Sequence, residues 1–120
     1  MSTQNLFLAI FRGGDGAAMQ AWNKLDEAER QARHEKGMAS WGAWAERNKD
    51  SIVELGGPLG KTKTAGSQGI EDSKNDLTAY SIVRADSHDE AAAMFKDHAH
   101  FTFFPGETID IMPVLPIPGR

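Results

Sequence analysis

The run Asn5-Leu-Phe-Leu-Ala-Ile-Phe11 is wholly apolar after its first residue and ends in Arg12-Gly13-Gly14-Asp15-Gly16. Seven residues are too few for an independent helix, and the glycines that follow read as a turn, so a strand is predicted. Leu6, Leu8 and Ile10 then share one face and Phe7, Ala9 and Phe11 the other. Both faces are apolar, so each must be covered. From Ala17 to Lys49 the period changes to that of a helix. Trp22, Leu25, Ala28 and Ala32 lie three and four apart, and Asp26 with Glu29 predicts an N-cap and a fresh start there. Met38, Trp41, Ala45 and Ile52 continue the stripe, with Trp44 beside it. Gly37 and Gly42 mark either a break in this helix or a close approach by another element.

Ile52-Val-Glu-Leu55 predicts a second strand entering Gly56-Gly-Pro-Leu-Gly60. Five of the 12 glycines fall between Gly56 and Gly69, interleaved with Lys61, Thr62, Lys63 and Thr64, which predicts a hairpin arm or a mobile loop. Leu77–Val83 is the next strand. Ser87, with Glu90 three residues on, begins a second helix whose apolar side is Ala91, Ala92, Met94 and Phe95. Thr108–Met112 is the last strand, and Pro113, Pro116 and Pro118 make the tail extended. Strand, helix, strand, strand, helix, strand is the order of a single α+β domain over residues 1–120: a ferredoxin-like βαββαβ unit with an antiparallel sheet. Helices cover one sheet face only. The other carries Phe7 or Leu8, Ala79 or Tyr80, and Ile109 or Asp110, depending on register, and predicts a homodimer closing two sheets into an α/β barrel.

Composition narrows the chemistry. There is no cysteine, so disulfides and thiolate chemistry are excluded, and a reducing, cytoplasmic setting is expected. The formal charge of -4 gives no footprint for a polyanion, so neither nucleic acid nor an anionic membrane is an expected partner. The opening Met1-Ser-Thr-Gln-Asn5 has no basic region followed by an apolar stretch, which predicts no signal peptide. Gly56–Thr62 ends in Gly-Lys-Thr, but Leu55 stands where a phosphate-binding loop needs its first glycine, and no helix follows.

Asp97, His98 and His100 are the densest polar cluster. A histidine beside a carboxylate is a general base near neutral pH. Two readings stay open. In an extended segment His98 and His100 point the same way and line one pocket; at a helix C-terminus the dipole favours His98, and His100 packs beside Phe101. Two histidines without further ligands predict no tightly bound transition metal. Trp41 and Trp44, with Met38, suit either the core or an apolar pocket for an aromatic ligand. His34, among Arg33, Glu35 and Lys36, and His88, in a first helical turn, are expected at the surface.

Taken together, Leu6–Ile10, Trp41-Gly-Ala-Trp44, Gly56-Gly-Pro-Leu-Gly60, Ala85-Asp-Ser-His-Asp-Glu-Ala91 and Asp97-His-Ala-His100 resemble the YCII-related, or DGPF-domain, family over nearly the whole chain. The resemblance implies a dimeric α/β barrel of ferredoxin-like subunits. For a few members it implies small-molecule enzymes with a histidine–aspartate pair. Carried over, the aspartate is Asp97, whereas the helix histidine falls near Ser40, which cannot titrate; Gln68-Gly-Ile-Glu71 stands where part of the family has Asp-Gly-Pro-Phe. The expectation is a cofactor-independent acid–base enzyme on a small organic molecule. Asp97, His98 and His100 would then move protons, while Ser40, Trp41 and Trp44 would contact substrate. The alternative is a non-catalytic dimeric ligand-binding or interaction module.

Overall fold

The computed structural model describes residues 5–119; the reading of residues 1–4 lies outside them. The chain runs β1 (Asn5–Gly13), α1 (Ala17–Lys24), α2 (Glu27–Arg47), β2 (Ile52–Pro58), β3 (Thr62–Gly66), β4 (Gly69–Ser73), β5 (Leu77–Ala85), α3 (His88–Ala93), α4 (Ala99–Thr102) and β6 (Gly106–Pro113). Strands β2-β5-β1-β6 form one antiparallel sheet, and β3-β4 form a separate hairpin. This is the ferredoxin-like order with a hairpin inserted between its second and third strands.

The helix starts where its caps dictate. The Asp26 carboxylate accepts from the Glu29 N–H at 2.7 Å, and the Asp26 N–H donates to the Glu29 carboxylate at 3.3 Å. These two bonds satisfy donors that the first turn of α2 would otherwise leave open. Ser87 likewise accepts from the Glu90 N–H, although the Glu90 carboxylate takes the N–H of Asp86 instead of closing the box on Ser87. Helix α2 is unbroken through Gly37 and Gly42. At Gly37 close approach is the reason for glycine: a Cβ there would lie 2.6 Å from the Phe104 ring.

Register assigns the two sheet faces. Phe7 pairs with Val83, Ala9 with Ser81 and Phe11 with Ala79 on the face that packs against Trp44, Ala91 and Phe95. On the opposite face Leu8 pairs with Ile82 and Met112, and Ile10 with Tyr80 and Asp110. The open-face residues are therefore Leu8, Tyr80 and Asp110; Phe7, Ala79 and Ile109 belong to the covered side. Arg12 crosses that open face, binding Asp76 at 2.8 Å and Asp110 at 3.0 Å. Among the described residues no helix is long and apolar enough to cross a membrane.

The hairpin is an ordered ladder from Thr62↔Ser73 to Gly66↔Gly69, braced by Lys63 to Asp72 at 2.6 Å and by Thr64 to Ser73. Its alternating lysine and threonine side chains left both arm and loop open to a sequence reading; the cross-strand pairs decide for the arm.

Candidate active site in the cleft between helix α2 and the sheet

The segment after α3 turns sharply at Asp97, whose φ of 57° is left-handed, a conformation aspartate tolerates better than most residues. The turn frees His98 to cap α4. Its Nδ1 accepts the His100 N–H at 3.0 Å, and its carbonyl receives the Thr102 hydroxyl at 3.1 Å. Arg33, reaching from α2, donates to the carbonyls of Thr102 and Phe103 and so closes the other end of α4. Four residues of helix are thus held at both ends, an arrangement that neither sequence reading, extended segment or helix C-terminus, describes.

Because Nδ1 of His98 accepts, its proton sits on Nε2. That atom is buried and has no hydrogen-bond partner among the described residues. The ring is instead enclosed edge-on by Trp41, Trp44 and Phe11 at centroid distances of 4.5, 4.8 and 5.2 Å. Burial pushes its pKa down to about 4, with the neighbouring His100 adding to the shift. His98 is a neutral, structural histidine in this setting.

His100 is placed differently. Its Nε2–H donates to the Arg12 carbonyl at 2.8 Å. That carbonyl is available because β1 slips register at Phe11/Arg12 against β5 and at Arg12/Gly13 against β6. A bulge of this kind redirects backbone groups out of the ladder. Burial lowers the His100 pKa, while backbone hydrogen bonding at Arg12 and Thr108 works the other way.

His100 lines a cleft of about 660 Å³ between α2, β2 and the ends of β1 and β6. Trp41 forms part of its wall, stacked on Phe11 at 5.2 Å with an angle of 12° between the rings. Met19, Met38, Phe104 and Leu55 add apolar surface. Among the described residues no lysine, arginine, aspartate or glutamate contributes to the lining.

The six residues singled out in the sequence therefore separate. Trp41 and His100 meet in the cleft. Trp44, buried and donating from Nε1 to the Met94 carbonyl at 2.7 Å, belongs to the core with His98. Asp97 is exposed, and Ser40 is half-buried on α2; neither contributes to the cleft wall. His34, expected to face solvent, is exposed but lies edge-on to Phe104 at 5.6 Å and joins the lining. The signal for it was present: His34, Met38, Trp41 and Ala45 fall on one helical face. His88 is exposed as expected, yet it stacks on Phe7 and donates to the Ile111 carbonyl at 2.7 Å. Among the described residues no three histidine, aspartate or glutamate side chains are grouped to hold a metal.

No family model matches the chain, and no curated protein matches it. Among solved structures the chain is similar to 5-chloro-2-hydroxyhydroquinone dehydrochlorinase from Burkholderia phenoliruptrix, in complex with 2,5-dihydroxybenzoquinone. The two are 23% identical, the match covers 89% of this chain and 90% of that one, and the TM-score is 0.50. The likeness is one of fold.

Proposed function

We propose that the chain is a small cofactor-independent acid–base enzyme of the YCII-related type, acting on a small aromatic molecule held in the α2–sheet cleft. The observation that carries this reading is the position of His100: a buried imidazole, tethered through Nε2 to the Arg12 carbonyl, in the wall of a largely apolar cleft. With the proton of the neutral ring on Nε2, the lone pair is on Nδ1. Nδ1 takes a proton from a ring carbon or hydroxyl of the substrate, and the imidazolium so formed is favoured by the backbone hydrogen bonds at Arg12 and Thr108. The same Nδ1 returns the proton to a second position, which leaves the enzyme unchanged. Trp41 supplies a ring face for the substrate. His98 acts through the Nδ1 bond that holds α4, a positioning role, and Trp44 through its packing on His98. Asp97 shapes the turn that delivers both histidines.

The subunit is also read as half of a homodimer, its open sheet face closing on a second copy to form the α/β barrel. Leu6, Leu8, Ile10, Ile82 and Met112 leave apolar surface on that face. A radius of gyration of 16.5 Å is well above the ~13.6 Å of a compact chain of this length, in keeping with a projecting hairpin arm.

The test is proton exchange. In D2O, a panel of phenols and naphthols is followed by loss of ring C–H signal with wild type and with His100→Asn. The expected result is exchange above the buffer rate for at least one compound, lost in the variant while binding is retained. Binding without exchange across the panel would leave the alternative, a non-catalytic dimeric ligand-binding module.

A further inference from the structure

Six glycines line the cleft: Gly13, Gly14, Gly42, Gly56, Gly57 and Gly106. The chain's own packing requires two of them. Gly56 has a left-handed φ of 75°, and a Cβ there would overlap the Tyr80 carbonyl. A Cβ at Gly106 would overlap the His100 ring. Gly13 and Gly14 lie where the chain turns out of β1; a Cβ there would make ordinary contacts with the Thr78 and Asp76 side chains, at 3.6 and 3.9 Å.

Gly42 and Gly57 are different. Nothing lies within 4 Å of a Cβ built at either, and neither backbone is left-handed. Gly42 stands in the interior of a 21-residue helix, where glycine is the least favourable residue after proline. Gly57 stands within β2, where glycine weakens a strand and marks places that a ligand or another backbone approaches. On α2 the cleft side is His34, Met38, Trp41, Gly42 and Ala45, so a side chain at 42 would enter the same space as its neighbours. Both glycines work against their own secondary structure, and among the described residues no tertiary contact requires them.

We infer that Gly42 and Gly57 are specificity-determining positions, whose missing side chains admit a flat, uncharged aromatic ring between the bare backbones of α2 and β2. This rests on the cleft being the ligand site proposed above. The ring is uncharged because, among the described residues, no lysine, arginine, aspartate or glutamate lines the cleft: an ion there would meet the polar groups of Thr78, Tyr80, His34 and His100 but no acidic or basic side chain to replace its lost hydration. A flat ring is what the Trp41 and Phe104 rings, both in the cleft lining, stack on, with the polarisable Met38 beside them in the same lining.

Calorimetric titration with phenol, 2-naphthol and 1-adamantanol tests this on wild type, Gly42→Leu, Gly57→Val and the control Gly60→Ala. Gly60 is outside the cleft, with open space around its Cα. Wild type should bind 2-naphthol, and both cleft variants should bind it at least ten-fold more weakly while phenol loses much less. Gly60→Ala should match wild type. The melting midpoint of Gly42→Leu should be equal to or above that of wild type. Unchanged 2-naphthol affinity in folded Gly42→Leu and Gly57→Val overturns the inference and leaves the cleft reading standing. Adamantanol bound as tightly as naphthol by wild type overturns the flat-ring claim. Lowered melting midpoints in both variants would assign the glycines to the fold, also overturning it. A wild type that binds none of the three removes the cleft reading, and this inference with it.

Discussion

The imidazole of His100 lies against the bare Cα of Gly106, so closely that a Cβ there would overlap Cε1, Nε2 and Nδ1 of the ring. The start of β6 is therefore the seat that holds the one histidine buried in the cleft wall. Gly106→Ala should displace the ring, break its bond to the Arg12 carbonyl and destabilise the fold by about 1–3 kcal/mol, the usual cost of overpacking. Gly42→Ala should do the opposite, gaining about 1 kcal/mol from helix propensity. Urea denaturation of the two variants side by side checks the contrast. Equal effects of one sign would mean that the surroundings of one glycine have been misassigned.

His98 makes stability depend on pH. Its folded pKa of about 4 lies below the ordinary 6.5, so between those values the unfolded chain binds a proton that the native chain refuses. Stability therefore rises with pH through that window and is lost as pH falls from 6.5 toward 4, by up to about 3 kcal/mol. His98→Asn keeps a capping side chain and removes the titration. Its stability should be flatter across pH 4–6.5 than that of wild type, as followed by thermal melts; parallel profiles would refute the assignment.

The open sheet face gives the next expectation. Wild type should sediment at twice 13.1 kDa. Leu8→Asp should sediment as a folded subunit, since position 8 is on the side away from the helices. Phe7→Asp, on the covered face, should instead unfold the chain, because Phe7 is only 2% exposed and a buried carboxylate there has no partner. A wild-type monomer at micromolar concentration would remove the barrel.

For the β3–β4 hairpin, hydrogen exchange is informative. Its ladder is a two-stranded sheet of its own, and an isolated pair of strands is marginal in water. Its amides should exchange faster than those of β1 and β5, with Gly66–Gly69 fastest. Protection equal to β1 would place the hairpin under cover from another subunit.

Much of the fold was legible because it is written in local periods and caps. The apolar run at 5–11 became the central strand β1, the Asp26/Glu29 pair started α2, and Ser87 started α3. Which face of β1 meets the helices was not legible, since Leu8 and Phe7 are equally apolar and only pairing with β5 decides. The lining of the candidate cleft was legible in part. Trp41 and His100 were named, but the spacing of His98, Ala99 and His100 does not reveal a four-residue helix capped by one histidine and carrying the other. That arrangement depends on Arg33, about seventy residues distant in sequence, and on a register slip at Arg12. Neither leaves a trace in local composition. His34 was hidden by its charged neighbours, which mask a helical stripe that Met38 and Trp41 continue.

In the proposed enzyme the cleft is the place where a ligand meets His100. Histidine-ring and tryptophan-indole NMR during titration of wild type with 2-naphthol tests that most directly. The prediction is saturable shifts at His100, His34 and the Trp41 indole, with the Trp44 indole, tied to the Met94 carbonyl, and His88 nearly unmoved. Shifts confined to His88 or the open sheet face, with His100 silent at saturation, would contradict it.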